Sequence, residues 1–222
     1  MMSQTLREIL REMIVPRLHP LFVHQAPKSF RFRNIRYKYV RHLHNRTWVN
    51  ERIVEVALGL SLLKKHQGTR ILEVGNVLSN YSSVSHDILD KYELSEGIIN
   101  EDIVHFNPRK RYDIIICIST LEHVGWDEIP KEPEKIHVAV RQMKRLLSPK
   151  GMMMITTPFG YNSYLDTQIL HSKLPFDEVY FMKRKSWRND WVEVAQPNPS
   201  RTHYSWFFMH ANTIAISYIY GS

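Results

Sequence analysis

The segment Arg70-Ile71-Leu72-Glu73-Val74-Gly75-Asn76 is the most informative part of this sequence. It has the pattern of a short apolar strand that ends on an acidic residue and then on a glycine, which lets the backbone approach a ligand closely. Downstream of it, apolar strand segments alternate with helical ones, as in a parallel sheet with crossover helices. We therefore predict strands near residues 70–74, 86–90, 97–100, 112–118 and 152–157.

Polar residues stand where several of these strands end. Asp90 closes the second strand, Asp102 follows the third, and Ser119 follows the fourth. The carboxyl ends of parallel strands meet at one edge of a sheet, and open α/β sheets bind their ligands there. The sequence therefore predicts a ligand site at this edge.

In this order the segments resemble the Rossmann-like (class I) S-adenosylmethionine-dependent methyltransferases. The resemblance covers residues 70–160 and is strongest in 112–124, where a buried strand runs into Ser119-Thr120-Leu121-Glu122-His123-Val124. It implies an α/β fold with a doubly wound, mostly parallel sheet, preceded by a helical and extended N-terminal cap. It also implies methyltransferase activity with S-adenosyl-L-methionine as the cofactor.

The resemblance also assigns roles to single residues. Asp90, rather than Glu93, would accept hydrogen bonds from the ribose hydroxyls, and Asp102 would meet the adenine amino group. Val77 and Ser79 stand where the family has further glycines, which leaves open a reshaped loop, a lost cofactor site or a plain strand-to-turn exit; Asp102 is alternatively a solvated loop acid. The full set of implied cofactor-binding residues is Glu73, Gly75, Asn76, Asp90, Asp102 and Ser119.

The resemblance makes His123 the candidate general base, since it lies in the segment 119–124 that passes the reactive methyl group in the family, and an imidazole suits proton removal near neutral pH. The alternative is a histidine that packs on the cofactor or fixes the loop. Some relatives bind a divalent metal here through two glutamates and a histidine. Ser119 occupies the position of the first glutamate, so we predict no metal site.

Composition predicts a single domain over residues 1–222, with an N-terminal cap in 1–66 and the α/β core in 67–222. Thr5 and Glu8 form a possible capping box for a first helix, and a longer helix is expected over 47–66. No apolar run is long enough to span a membrane. One cysteine, Cys117, excludes an internal disulfide and fits a reducing compartment, which favours a cytoplasmic location and no membrane partner.

The net charge of +8 is concentrated in part between Lys28 and Arg46, where cations alternate with aromatic residues. Such a segment can bind nucleic acid, hold an anionic or sugar-bearing substrate, or pack its aromatic side on the domain. We prefer the last reading, with the segment capping the cofactor edge. Nucleic acid is then possible but not favoured, and a small-molecule or glycan acceptor is expected.

The expected reaction is O-methylation of that acceptor. The alternatives are an RNA methyltransferase that uses the basic segment 28–46 and a non-catalytic binding protein of the same fold. Tyr161, Trp187 and Trp191 are candidates for stacking on a sugar or ring, and core packing is the alternative for each tryptophan. The oligomeric state stays open.

Overall fold

Alternating strands and helices build one central sheet in the computed structural model, which describes residues 27–222. Three α-helices are present in this part of the chain: α1 (Arg52–Lys65), α2 (Lys135–Leu146) and α3 (Ser163–Leu170). The strands of the central sheet are β3 (Ile71–Val74), β4 (Asp87–Asp90), β5 (Ile98–Asn100), β6 (Tyr112–Ile118), β7 (Leu147–Pro158), β8 (Glu178–Arg184), β9 (Trp191–Val194) and β12 (Thr213–Tyr220). Two small hairpins add β1 (Ser29–Phe32) with β2 (Ile35–Lys38), and β10 (Tyr204–Ser205) with β11 (His210–Ala211).

The strand order in the sheet is β5-β4-β3-β6-β7-β12-β8-β9. The first five strands in this order run parallel, and the last three join antiparallel. The chain enters the central sheet at β3 and continues outward through β4 to β5. It then returns and places β6 on the other side of β3. This reversal between β3 and β6 creates the crevice where doubly wound sheets bind their ligands.

Helices cover both faces of the sheet. On one face, α2 and α3 pack on side chains such as Leu72 and Ile115, and on the other face α1 and the β1–β2 hairpin pack on Ile71 and Ile116. Successive residues of a strand point to opposite faces, so a strand covered on both sides must be apolar throughout. That requirement explains the continuous run in β6 and confirms the doubly wound, mostly parallel fold.

The predicted strands are confirmed with shifts of a residue or two, except that β7 already begins at Leu147. The helix predicted over 47–66 begins only at Arg52, because residues 47–51 form turns in which the side-chain oxygen of Asn50 accepts the N–H of Arg52 at 3.2 Å. The predicted helix near Thr5 and Glu8 lies outside the described residues. Cys117 is buried in the core.

Candidate active site

A cavity of about 540 Å³ opens at the carboxyl ends of β3, β4, β5 and β6. Its volume falls in the range of small-molecule and cofactor sites, roughly 300–1,000 Å³. Five of the six residues predicted for the cofactor, together with His123, lie in its wall. The lining residues include Arg52, Val74, Gly75, Asn76, Leu89, Asp90, Lys91, Asp102, Ile103, Ser119, Thr120, His123, Val124, Asp127 and Glu128.

Glu73 is the predicted residue that the structure does not bring to the cavity. Its side chain is fully buried beneath the loop that follows β3. One carboxylate oxygen accepts hydrogen bonds from the backbone N–H groups of Val77 and Leu78, at 2.9 and 2.7 Å, and the other lies 2.8 Å from Nε2 of His86. Glu73 therefore shapes the loop from below, because its carboxylate satisfies backbone donors that would otherwise be buried without partners.

Gly75 lets this loop pass close to the segment after β6. Its φ angle is +86°, a conformation that residues with a Cβ rarely adopt. A Cβ at this position would lie only 2.1 Å from Oγ1 of Thr120. The single glycine that the loop retains is thus required both by its backbone conformation and by its neighbour.

Asp90 and Asn76 meet at the end of β4. One oxygen of Asp90 accepts the backbone N–H groups of Tyr92 and Glu93, at 2.9 and 3.0 Å, and the other accepts the N–H of Asn76 at 3.2 Å. The Asn76 side chain donates to Glu93 at 2.9 Å. A carboxylate offers about four acceptor positions, so Asp90 keeps one for a further donor.

Asp102 lies at the far end of the cavity within a network of charges. Its Oδ2 is 2.9 Å from Nζ of Lys91 and 2.8 Å from Nζ of Lys135, and both ammonium groups also contact Glu128. Burial alone would raise the pKa of Asp102, but the hydrogen bonds from Lys135 and Lys91 lower it below its ordinary value. Asp102 is therefore an ionised, paired carboxylate and not a loosely solvated loop acid.

Ser119 has a strained backbone at the centre of the site. Its φ angle of 41° is uncommon for a residue with a side chain. Two contacts hold it: its N–H donates to the carbonyl of Thr156 at 3.0 Å, and its Oγ donates to the buried carboxyl group of Glu55 at 2.8 Å. Strain of this kind persists only where the surroundings fix it, and it concentrates at functional sites.

His123 lies at the mouth of the cavity, and its contacts with Asp127 and Tyr161 are not evident from the sequence. Its Nδ1 is 2.5 Å from Oδ2 of Asp127, and the hydroxyl of Tyr161 donates to the same oxygen at 2.6 Å. The Tyr161 ring packs edge-on against the imidazole at a centroid distance of 4.8 Å. On the opposite side, Nε2 of His123 lies 3.7 Å from a carboxylate oxygen of Glu122.

The glycine turn and the polar cavity at the carboxyl edge of the sheet agree with the sequence-family comparison. Residues 43–211 match a family described as the methyltransferase domain. The chain belongs to this family. Among curated protein sequences, no significant match to this methyltransferase is found.

Solved structures of similar shape include other methyltransferases. The N-methyltransferase NodS from Bradyrhizobium japonicum, in complex with S-adenosylhomocysteine, is 13% identical with a TM-score of 0.48, over 78% of this chain and 88% of its own. A methyltransferase from Archaeoglobus fulgidus is 14% identical with a TM-score of 0.48, over 80% and 98% of the two chains. A possible histamine N-methyltransferase from Thermotoga maritima is 11% identical with a TM-score of 0.45, over 74% and 87%.

The basic segment of this methyltransferase lies elsewhere. Phe30 and Phe32 are buried while Arg31 is exposed, so the segment packs its aromatic side on the domain as predicted. The hairpin tip contacts the outer strands, where Arg33 pairs with Glu178 at 3.0 Å. None of the described residues 28–46 lines the cavity, so the expected cap over the cofactor edge is wrong. The hairpin packs at the β8–β9 edge because burial of its aromatic side chains against that apolar surface is favourable.

The three aromatic residues considered for stacking on an acceptor lie in different surroundings. Tyr161 is at the site, Trp191 is buried in the core, and Trp187 is 55% exposed. Among residues 27–222, no set of three His, Cys, Asp or Glu side chains is placed to hold a metal ion. In the same part of the chain, no helix has the length and apolar character needed to cross a membrane.

Proposed function

We propose that this protein transfers the methyl group of S-adenosylmethionine to an oxygen atom of a small-molecule or glycan acceptor. The observation that carries the proposal is the His123–Asp127 pair at the mouth of the cavity. A hydroxyl group is a weak nucleophile until it loses its proton, so an enzyme that methylates oxygen needs a positioned base. His123 is placed to act as that base.

The residues of the cavity suit S-adenosylmethionine. Gly75 and Asn76 would hold its methionine portion, and Asp90 has an acceptor position left for a ribose hydroxyl. The apolar side chains of Leu89, Ile103 and Val124 offer flat walls for the adenine ring. When bound, the cofactor supplies an electrophilic methyl group on a positively charged sulfur that is a good leaving group.

Asp127 and Tyr161 orient the proposed base. The carboxylate of Asp127 favours the tautomer of His123 that carries its proton on Nδ1, which leaves the lone pair of Nε2 free to take a proton from the acceptor. Burial, together with the hydrogen bond to Asp127, raises the pKa of Tyr161. Tyr161 therefore stays protonated and keeps donating to Asp127, so the pair remains aligned at neutral pH.

The roles proposed for Asp102 and Ser119 follow from their positions. Asp102 would accept from the adenine amino group through the acceptor position that Lys91, Lys135 and the N–H of Val104 leave free. Ser119 would fix the backbone beside the reacting methyl group. Its hydroxyl is already used by Glu55, so its contribution would be made through the backbone.

The test separates cofactor binding from catalysis. Calorimetry with S-adenosylmethionine and S-adenosylhomocysteine measures affinity, and release of S-adenosylhomocysteine with a panel of phenols and monosaccharides measures turnover. His123→Ala is expected to lower turnover by about 100-fold or more, the usual contribution of a general base, with cofactor affinity nearly unchanged. Glu178→Gln, a substitution on β8 away from the cavity, is the matched control.

Two results would contradict the proposal. Unchanged turnover in His123→Ala would mean that the base lies elsewhere or that none is needed. If neither form of the cofactor binds at millimolar concentration, the protein is a non-catalytic member of the fold, as Val77 and Ser79 in the loop would then explain.

A further inference from the structure

Three glutamates form a buried cluster next to the cavity, and the proposed reaction uses none of them. Glu51 directly precedes α1, Glu55 lies in its first turn, and Glu122 lies in the short turn after β6. Their side chains are 5%, 0% and 2% exposed. Carboxyl groups are rarely buried unless they are paired, because burial removes the water that stabilises their charge. We refer to Glu51, Glu55 and Glu122 as the carboxyl cluster.

The carboxyl cluster shares a wall with the cavity. Ser119, which lines the cavity, donates its hydroxyl to Glu55 at 2.8 Å. His123, which also lines it, lies 3.7 Å from Glu122. The three glutamates lie behind the cavity wall, and Glu122 is the one beside Nε2 of His123, where the hydroxyl of an acceptor would bind.

One polar atom of the cluster lacks a partner. Oε2 of Glu122 has no hydrogen-bond partner in the described part of the protein, although it is completely buried. The buried hydroxyl of Thr156 lies beside Glu55 and lowers the pKa of that group. Native proteins satisfy most buried polar atoms, so unpartnered ones mark a place where a ligand or water belongs.

Two guanidinium groups act on the cluster without neutralising it. Arg52 lines the cavity, and its charge offsets part of the rise that burial causes in the pKa of all three carboxyl groups. Arg184 directs its N–H groups to the backbone carbonyl oxygens of Val49, Ser186 and Trp187. Three carboxyl groups thus face two cations, and full ionisation would leave an excess negative charge.

Aromatic rings stand on the outer side of the cluster. Tyr204 is close enough for its pKa to respond to all three glutamates. Its ring packs against Tyr161 and Trp206 at centroid distances of 5.2 and 5.0 Å. Carboxyl groups combined with aromatic faces are the chemistry that recognises a positively charged amine.

We infer that the carboxyl cluster binds a positively charged amino group of the acceptor, beside the hydroxyl that His123 deprotonates. The inference rests on the proposed function, because it names the class of acceptor for the same site: an amino alcohol or an amino sugar. An ammonium group supplies donors for the unpartnered oxygen of Glu122 and the missing positive charge. A neutral hydroxyl supplies donors but no positive charge.

Burial keeps protons on the carboxyl cluster. Burial, reinforced by the charge of Glu55, raises the pKa of Glu51 to about 8, and burial also raises the pKa of Glu55 and Glu122. The other titratable groups acting on the cluster are Arg52, Tyr81, Cys117, His123, Tyr161, Arg184 and Tyr204. In the free protein at neutral pH the cluster therefore holds protons that an ammonium group would displace.

Amine binding by the carboxyl cluster should strengthen as the pH rises. A cation binds the carboxylate form, which becomes more populated as the pH rises toward 8. Amine affinity should accordingly increase with pH between 6 and 8, by up to about tenfold per unit for one released proton. An alkyl amine, with a pKa near 10, stays charged throughout this range.

The experiment compares ethanolamine with ethylene glycol, which differ only in an ammonium group against a hydroxyl group. Both are titrated into the full-length protein by calorimetry, with and without S-adenosylhomocysteine, in two buffers of different ionisation enthalpy. We expect ethanolamine to bind at least tenfold more tightly and to release close to one proton. Glu122→Gln, which keeps the volume and removes the charge, should abolish most of this preference, and Glu178→Gln should retain it.

Equal binding of the two compounds, or a preference that survives in Glu122→Gln, would overturn the inference. If Glu122→Gln does not fold, as judged by its thermal melt, the wild-type protein decides the matter: no proton release on binding ethanolamine overturns the inference. Failure of the proposed function looks different, since S-adenosylhomocysteine then fails to bind while the amine preference persists. Mapping the product separates the two further, because a methyl group on nitrogen contradicts O-methylation but not an amine acceptor.

Discussion

Replacement of Gly75 by alanine should damage this protein more than the same replacement at Gly68 or Gly97. Gly68, Gly75 and Gly97 have nearly identical φ angles of +82°, +86° and +81°. Alanine in such a conformation costs about 1–2 kcal/mol. A Cβ at Gly68 or Gly97 meets no atom within 4 Å, whereas at Gly75 it would lie 2.1 Å from Oγ1 of Thr120. Overpacking of that kind adds roughly 1–3 kcal/mol.

The expected total is about 2–5 kcal/mol for Gly75→Ala and about 1–2 kcal/mol for each control. For a chain of this size, 1 kcal/mol corresponds to roughly 2–4 °C in Tm, so thermal melts should resolve the difference. Because Gly75 lines the cavity, its variant should also lose affinity for S-adenosylhomocysteine, which the control variants should keep.

A double-mutant cycle tests the assigned cause. Thr120→Ala removes Oγ1 and Cγ2, the two closest atoms, and leaves Cβ at 2.9 Å from the new methyl group. The double variant should therefore recover part of the loss, which appears as a coupling energy between the two sites. If Gly75→Ala melts no lower than Gly97→Ala, or if Thr120→Ala restores nothing, the close approach of the two loops is not what requires the glycine.

Three further predictions concern the cofactor, pH and charge. Asp90→Ala should weaken S-adenosylhomocysteine binding by about 1.5–3 kcal/mol, the usual loss for hydrogen bonds to a charged group; unchanged calorimetric affinity would contradict its ribose role. Burial, only partly offset by the N–H of Gly160, raises the pKa of Asp166 to about 7, so the folded state binds an extra proton and stability should fall as the pH rises from 4 to 7. Asp166→Asn should remove that part of the slope in urea unfolding measured across the same range, and an unchanged slope would refute the assignment. RNA should bind the exposed cations of segment 28–46 only weakly and not at physiological salt, with a log–log slope near −0.7 per phosphate; micromolar affinity there, lost when the cations are replaced, would make the acceptor a nucleic acid.

The sequence predicted those parts of the molecule that depend on local pattern. The sequence shows the apolar run of β6 directly. It also shows the acidic residues at the end of β4 and after β5, because each of them stands next to its strand in the sequence. The β1–β2 hairpin was not predicted, since its turn uses Arg33 and Asn34 at positive φ angles of 47° and 62° where a glycine is the usual signal. The connection between β3 and β4 holds no full helix, because only 12 residues separate the two strands.

The site itself depends on contacts between distant segments, which no local pattern reports. Glu55 and Ser119 are 64 positions apart, and Tyr161 reaches Asp127 across 34. Two features of the site can nevertheless be recognised in the sequence. Asp127 follows His123 by four residues, the spacing of neighbours on one side of a helical turn.

The second sequence signal of the site is a pair of acidic residues at the start of α1. Glu51 and Glu55 are also four residues apart, and they stand among the apolar residues that bury the helix, where a purely structural helix would place none. A charge that costs stability when buried persists in a core only where something offsets that cost. Ser119 and the backbone N–H of Ala211 offset part of it through hydrogen bonds to Glu55 and Glu51. These hydrogen bonds leave part of the cost of burial uncompensated, and that part is the reason to expect a positively charged group on the substrate.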